Sequence, residues 1–238
     1  MTCTSGVRSS RIKCSTFLLS LLSPVWRAKL CRHFSFKDTR TLRLEPRDAA
    51  AFPALLALGC GQSATVTGFS MLLEVGRLAD CYGLTAVCQT VEWHAGLNLT
   101  VDRAAEVLVS ETTGALARLR EASKELALCR FEAFAATDGF LRLDEEELGS
   151  LLDEGQVEAE GEERVLEAVA RWMRGGGGPG ARLRGEGLLR KVRFEAIATE
   201  YLQGPGRELL AECVLLKTLV EEAGRTAWRL GLEDLLEI

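Results

Sequence analysis

Apolar residues recur three or four positions apart along most of the chain, and this spacing predicts amphipathic helices. The pattern is clearest after Gly68, where Gly83 separates the apolar positions of two consecutive helices. Helices are also predicted throughout the second half, with the core positions Leu116, Leu119, Ala122, Leu126, Cys129, Phe134, Leu148, Leu151, Leu152, Val165, Val169, Trp172 and Met173. We therefore expect more than half of the residues to be helical.

Capping signals mark where several helices begin. Ser23 can offer its hydroxyl to the free amides of a following helix, and Pro24 suits the first helical position because it has no N–H. Thr100 precedes a helix that begins at Val101, and Asp144, with a glutamate three residues later, forms the carboxylate version of a capping box. Caps and periodicity together predict helices over residues 16–22, 24–31, 49–58, 115–136 and 162–173.

Strand signals are confined to the start of the chain. Thr41-Leu42-Arg43-Leu44 alternates polar and apolar residues and predicts a short strand, and residues 11–14 could be the end of another. Residues 1–10 are small and polar, which predicts a disordered end. In the helix predicted over residues 49–58, Pro53 has to lie in the first turns, since proline has no N–H for an interior helical hydrogen bond.

Two motifs in the first part of the chain resemble BTB/POZ domains. The helix, break and second helix in Phe17-Leu18-Leu19-Ser20-Leu21-Leu22-Ser23-Pro24-Val25-Trp26-Arg27-Ala28 are similar to the BTB helical hairpin. A second similar set consists of Leu72, Leu73, Ala79, Asp80, Tyr82 and Leu84. The resemblance implies a truncated α/β BTB-like domain with a few short strands over residues 11–98.

The second half resembles the BACK domain that follows BTB in Kelch-type adaptors. The motifs that carry this resemblance are Phe140-Leu141-x-Leu143, Leu148-x-x-Leu151-Leu152, Glu162-Glu163-x-Val165-x-x-Ala168-Val169-x-x-Trp172 and Leu188-Leu189-x-x-Val192-Arg193-Phe194. The resemblance implies an all-helical domain over residues 99–238. Together with the BTB-like part, the fold class that we expect is mainly α.

The two resemblances imply a non-catalytic protein-interaction adaptor. Such proteins serve as substrate adaptors or scaffold subunits of cullin–RING ubiquitin ligases, so the implied partners are a cullin scaffold protein and a second copy of the chain. The alternative is a self-associating structural scaffold that does not bind a cullin. A small number of buried aromatic or aliphatic anchors usually carries most of the energy of such contacts.

The family keeps its cullin-contact motif, a hydrophobic residue and a glutamate, soon after the position of Arg27-Ala28. Here the corresponding residues are Phe34-Ser35-Phe36 or Phe36-Lys37-Asp38, with the shorter carboxylate in place of glutamate. The resemblance therefore implies partner-binding residues Phe34, Phe36, Lys37, Asp38 and Val101. An equally open interpretation makes Phe34 and Phe36 ordinary core residues of the BTB-like part.

Charge and hydropathy narrow the choice of partner. The net charge of −5 lacks the basic footprint of nucleic-acid-binding proteins, so no nucleic-acid partner is expected. The acidic residues of 138–167 and the later basic run are interpreted as solvated helix faces. No apolar run is long enough to span a bilayer, and the short run of residues 17–22 lacks a small-residue cleavage site, so no membrane partner is expected.

The residues needed for catalysis or metal binding are sparse. The eight cysteines form no C-x-x-C pair, and most of them are expected to pack as small hydrophobes with free thiols, which fits a reducing cytoplasmic or nuclear compartment. Only two histidines are present, and Cys31 near His33 makes a poor nucleophile–base pair. The glycine-rich residues 175–180 lack the following Lys-Ser/Thr of a phosphate loop. We expect no enzyme activity, no metal and no cofactor.

Overall fold

The computed structural model describes residues 14–31, 44, 46–110, 116–153, 159, 161–175, 185 and 187–211. Of these residues 77% are helical and none is in a strand, so the expected mainly α fold is confirmed. The predicted disordered end and nearly all of both predicted strands lie outside the described residues. The chain divides into two units, Met1–Val91 and Glu92–Ile238.

The first unit is built from two helical hairpins. Helix α1 packs on α2, and α3 packs on α4. These helices are α1 (Thr16–Leu22), α2 (Pro24–Cys31), α3 (Pro46–Gly59) and α4 (Phe69–Cys81), and they are followed by α5 (Thr85–Leu97), whose last residues belong to the second unit.

Ser23 makes the break between α1 and α2, as its capping signal predicts. Its hydroxyl accepts the backbone N–H of Trp26 at 3.0 Å and donates to the carbonyl oxygen of Tyr82. Ser23 is fully buried, so its hydroxyl cannot bind water. The two hydrogen bonds satisfy its donor and its acceptor inside the protein. One short side chain thus starts α2 and links it to the end of α4.

An aromatic cluster fills the core of the first unit. Trp26 is fully buried, with its ring centroid 5.7 Å from that of Phe52 and 4.7 Å from that of Tyr82. Leu55 and Val75 are also fully buried. The motif Ser-Pro-Val-Trp therefore combines a helix start with the largest side chain of this core.

Helix α3 begins three residues earlier than predicted. Because it starts at Pro46, Pro53 lies inside the helix, and the expectation that Pro53 falls in the first turns is wrong. Asp48 explains the earlier start, since a carboxylate in the first turn is favourable there and this one also pairs with Arg77 of α4. Burial of Phe52 and Leu55 on either side of Pro53 offsets the missing hydrogen bond.

The second unit contains the remaining helices whose bounds the structure describes, and residues 185 and 187–189 are helical as well. Helix α6 packs on α7, while α10 contacts α8 and α12, the last helix in the described part of the chain. The helices are α6 (Val101–Val109), α7 (Ala117–Cys129), α8 (Phe131–Ala135), α9 (Glu145–Asp153), α10 (Glu162–Gly175), α11 (Thr199–Gln203) and α12 (Pro205–Ala211), with 3-10 turns at Phe140–Arg142 and Phe194–Ala196. In the described part of the chain, no helix combines the length and the apolar character that crossing a bilayer requires.

The single long helix predicted over residues 115–136 is wrong. The backbone breaks at Arg130, with φ −130° and ψ 46°, and separates α7 from α8. The break rotates the buried face, so Leu128 and Phe131 are buried while Cys129 is exposed. Aromatic packing explains it, because Phe131 and Phe134 both reach the ring of Phe140 edge-on, at 6.4 and 5.7 Å.

In α7 the predicted core positions Ala122 and Leu126 are only partly buried, and Ala127 and Leu128 are buried instead, whereas α9 and α10 follow the predicted pattern. Val165, Val169, Trp172 and Met173 line one face of α10 and are buried, as are the three predicted leucines of α9. The predicted cap before α9 is also present, since the backbone N–H of Glu147 donates to Asp144 Oδ1 at 2.7 Å. Strong helical periodicity is therefore a sound guide wherever one helix keeps a single buried face.

Candidate protein-interaction surface

Val101 is the one predicted partner-binding residue that the structure describes. It is the first residue of α6, and its side chain is partly buried against the core of the second unit. Phe34, Phe36, Lys37 and Asp38 lie outside the described residues. Whether these four approach Val101 stays a prediction, and the burial of Val101 leaves only part of its side chain for a partner.

The corner between α5 and α6 is held by side-chain hydrogen bonds to the backbone. Thr100 Oγ1 accepts the N–H of Arg103 at 3.4 Å, which confirms the predicted cap. Arg103 Nη1 donates to the carbonyl oxygen of Asn98 at 2.6 Å, and Asn98 Nδ2 donates to that of His94 at 3.1 Å. These bonds fix the direction in which the last turns of α5 and the first turn of α6 present their side chains.

Two large apolar side chains on α5 face solvent at this corner. Trp93 is 62% exposed and Leu97 is 63% exposed. They are one helical turn apart and therefore adjacent on the helix surface, and we call them the Trp93–Leu97 ridge. Tryptophan is the residue type most enriched among interface anchors, and large apolar groups are seldom left together in water without a partner.

Sequence reasoning missed this ridge, although spacing holds the signal for it. The buried positions Val87, Val91 and Ala95 recur every four residues and define the inner face of α5. Trp93 and Leu97 stand two positions beyond Val91 and Ala95, which is more than half a turn away at 3.6 residues per turn. Assigning each apolar residue to a face separately, rather than the whole stretch to a core, would have singled them out.

Within the second unit, Glu92 ties the end of α5 to the start of α7. Its carboxylate oxygen accepts the backbone N–H of Arg118 at 2.9 Å, in the first turn of α7. The free amides at a helix start make that end favourable for negative charge. Because Glu92 directly precedes Trp93, this bond holds the turn of α5 that carries the ridge.

An ion pair between a buried carboxylate and an exposed arginine organises the start of α10. The side chain of Glu162 is only 7% exposed, and Arg193 donates to it from its backbone N–H at 2.9 Å and from Nε and Nη2 at 3.2 and 3.0 Å. These three donors compensate the cost of burying the carboxylate. Glu162 therefore joins two segments of the second unit.

Tyr201 makes a similar contact farther along α10. Its hydroxyl donates to Glu167 Oε1 at 2.8 Å, and Glu167 Oε2 accepts from Arg164 Nη1 at 2.8 Å. Burial, followed by the bond to Glu167, raises the pKa of Tyr201 to about 12. Burial opposes ionisation of Glu167, but the bonds from Arg164 and Tyr201 outweigh it and lower its pKa. Near neutral pH Tyr201 is therefore a hydrogen-bond donor that holds α11 to α10.

A groove with a cavity volume of about 810 Å³ runs beside α9. Its lining is rich in carboxylates, and Lys191 pairs there with Asp153. Among the residues that the structure describes, no group of three His, Cys, Asp or Glu side chains is arranged to hold a metal ion. The groove is therefore charged and open to solvent.

The cysteines depart from the expectation that most of them pack as small hydrophobes. Of the five described free thiols, Cys88 is buried and Cys14 is half-buried, whereas Cys60, Cys81 and Cys129 are exposed. Burial, with a smaller contribution from Cys60, raises the pKa of Cys14, which is opposite to what a reactive thiolate needs. The expectation is thus wrong for the three exposed thiols, which lie at or just beyond helix ends.

Comparison with known families supports one of the two resemblances. Residues 105–204 match the family model described as BACK: BTB And C-terminal Kelch. This region is similar to BACK domains. The match begins within α6, ends just after α11 and lies wholly inside the second unit, whereas the BTB part of the resemblance has no such match. No curated protein matches the chain.

Proposed function

We propose that this protein is a non-catalytic adaptor that joins a partner to a cullin–RING ubiquitin ligase. The observation that carries the proposal is the BACK match over residues 105–204, which falls on the helices whose buried face contains Trp172 and Phe140. BACK domains accompany BTB and Kelch modules, as the description of the family states, and adaptor function is the role that this combination implies. The reducing cytoplasm or nucleus is the proposed location.

The surface that we propose for the cullin is the α5–α6 corner. The Trp93–Leu97 ridge supplies exposed apolar area, and the bonds of Glu92 and Asn98 hold it in one orientation. A rigid anchor loses little conformational freedom on binding, which favours affinity. Phe34, Phe36, Lys37 and Asp38 stay proposed as cullin-binding residues on the strength of the family resemblance alone.

The alternative, a self-associating scaffold, is favoured by the same exposed ridge. An apolar pair on one helix face can also pack against the identical pair of a second copy about a two-fold axis. In that case the protein would form a dimer in which Trp93 is buried at the dimer interface, and a cullin would not bind there. Because the family resemblance implies self-association for an adaptor as well, the two functions differ in whether a cullin binds.

Two measurements on the full chain separate the alternatives. Isothermal titration against a purified cullin N-terminal domain tests the adaptor, and light scattering across a concentration series tests self-association. Saturable cullin binding that Trp93→Ala weakens supports the adaptor. A dimer without cullin binding at any reachable concentration supports the scaffold, and the adaptor proposal is then discarded.

A further inference from the structure

Positive charge is concentrated at one end of the sequence. The first 37 residues contain no Asp or Glu and seven cations, which are Arg8, Arg11, Lys13, Arg27, Lys29, Arg32 and Lys37. The rest of the chain holds the other 22 of the 29 Lys and Arg against all 34 Asp and Glu. Asymmetry of this kind, inside a chain that is acidic overall, indicates a surface for an anionic partner.

Within this cationic stretch, helix α1 presents its apolar side chains to solvent. Phe17 is 72% exposed, Leu21 is 58% exposed and Leu18 is 39% exposed, while Leu19 alone is buried in the core. Phe17 and Leu21 are one turn apart and lie side by side. No charged residue occurs in α1, so nothing on the helix itself keeps this face solvated.

A cation lies directly beside that apolar face. Arg27 Nε donates to the carbonyl oxygen of Ser20 at 2.8 Å, which places the guanidinium at the end of α1, next to Leu21. Arg27 and Lys29 are both exposed. We call Phe17, Leu18, Leu21 and Arg27 the α1 patch. Apolar side chains flanked by exposed cations are typical of surfaces that rest on anionic lipid.

We propose that the α1 patch docks on the surface of an anionic phospholipid bilayer. Phe17 and Leu21 would enter the boundary between head groups and acyl chains, and the Arg27 guanidinium would contact lipid phosphates and carboxylates. Charge complementarity carries this choice, because the stretch is uniformly positive and a bilayer supplies both negative charge and an apolar layer. From the sequence we expect no membrane partner, because no apolar run is long enough to span a bilayer. The present proposal differs from that expectation in that α1 lies on the bilayer surface and does not cross it.

Other occupants fit the α1 patch less well. A second copy of the chain would bring two positively charged patches together, since a two-fold interface uses the same surface of both copies. An amphipathic helix with acidic residues would match the charge, but it would have to cover Phe17, Leu18 and Leu21 with apolar groups of its own. The acidic helix is therefore a distinct outcome of the test.

Co-sedimentation of the full chain with lipid vesicles tests the proposal. Vesicles of phosphatidylcholine alone are compared with vesicles containing about 30% phosphatidylserine, each at roughly 0.05 M and 0.5 M salt. The wild type is expected to bind the anionic vesicles at least about tenfold more strongly than the neutral ones at low salt, and to be released at high salt. Equal binding to both vesicles, or no binding at low salt, overturns the proposal.

Matched variants show whether the α1 patch is responsible. Phe17→Ser with Leu21→Ser is expected to abolish vesicle binding, and Arg27→Gln to weaken it and its dependence on salt. The control is Trp93→Ser with Leu97→Ser, which removes equally exposed apolar groups elsewhere and should leave vesicle binding intact. If the control loses as much binding as the α1 variant, the proposal fails.

Folding and partner class are checked in the same series. Thermal unfolding of each variant should match the wild type, since the substituted side chains are exposed. If the double variant does not fold, Leu21→Ser and Arg27→Gln as single changes decide the outcome. In another outcome, the wild type fails to bind vesicles and binds an acidic amphipathic peptide through Phe17. That result overturns the lipid proposal in favour of a protein partner.

Discussion

Trp172 Nε1 donates a hydrogen bond to the carbonyl oxygen of Leu143, 2.9 Å away. Trp172 is 1% exposed, so its ring fills the core of the second unit while its one polar atom is paired. The bond joins α10 to the residue just before Asp144, the cap of α9. A single side chain thus combines the largest apolar burial of this core with the placement of a neighbouring helix start.

Replacing Trp172 tests both roles. Trp172→Ala is expected to lower the free energy of unfolding by about 3–5 kcal/mol, because it leaves a large cavity. Trp172→Phe should lower the free energy of unfolding by less than Trp172→Ala does, because the phenyl ring fills part of the cavity. The carbonyl oxygen of Leu143 still loses its hydrogen-bond donor, and leaving it unpaired costs about 1–3 kcal/mol. Denaturant unfolding measures both changes, and a loss below about 1 kcal/mol for Trp172→Ala would contradict the burial.

Gly83 makes the turn between α4 and α5 in a conformation that other residues resist. Its φ is 68°, and a Cβ there would lie 3.0 Å from Pro24 Cγ. Gly83→Ala is therefore expected to destabilise the first unit by about 1–2 kcal/mol. Gly96→Ala is the matched control, because Gly96 lies inside α5 with open space around it, and alanine should stabilise that helix by about 0.5–1 kcal/mol. Thermal melts that shift in the same direction for both variants would contradict this assignment.

The sequence predicts helices well where one face stays buried along the whole helix. Val165, Val169 and Trp172 could be placed in the core because α10 keeps a single apolar stripe. The break at Arg130 could not be placed in this way, because apolar residues continue on both sides of it. What decides the break is the packing of Phe131 and Phe134 on Phe140, a contact that local spacing does not contain.

The candidate surface was less predictable than the fold for a related reason. Exposure of Trp93 depends on which face of α5 the rest of the unit covers, and that is a property of tertiary structure. Similarly, Arg193 and Glu162 are 31 residues apart, so no local sequence motif predicts that they form an ion pair. Charge patterning identified a basic run that contains Arg193, but not that this residue pairs with a buried carboxylate.

Ser23 offers a test of the hairpin between α1 and α2. Ser23→Ala removes the cap of α2 and the bond to the Tyr82 carbonyl, so we expect a loss of about 1–2 kcal/mol. Ser15 is the control, since it caps α1 from an exposed position at 3.4 Å, and Ser15→Ala should cost less, about 0.5 kcal/mol. Equal losses in urea unfolding would show that the buried second bond of Ser23 contributes nothing.

Tyr201 predicts how stability changes in alkaline solution. Its pKa is raised in the folded protein to about 12 from the ordinary value of 10.0, so folding favours the protonated phenol. This contribution is fully present below pH 10 and is lost as pH rises from about 10 to 12. Tyr201→Phe should remove it, so the variant's stability should fall less over that window than the wild type's.

The alkaline effect is resolvable because the chain contains only two tyrosines. Tyrosinate absorbance during titration of Tyr82→Phe reports Tyr201 alone, and its midpoint should lie near 12. Burial, the largest cause, also raises the pKa of Tyr82. An ordinary midpoint in the Tyr82→Phe variant would show that the Glu167–Tyr201 bond does not persist in solution.

Trp93 is the residue whose removal bears most directly on the adaptor proposal. A central aromatic anchor commonly contributes about 2 kcal/mol or more, so Trp93→Ala should weaken cullin binding roughly thirtyfold. Phe36→Ala is expected to have an effect of the same size if Phe36 is the second anchor, and to lower the melting temperature instead if it is a core residue. Phe17→Ala is the control, because Phe17 is equally exposed but lies on α1, outside the α5–α6 corner. Isothermal titration of the three variants against a cullin N-terminal domain, with a thermal melt of each, separates these outcomes. A folded Trp93→Ala protein with wild-type affinity would remove the ridge from the cullin surface.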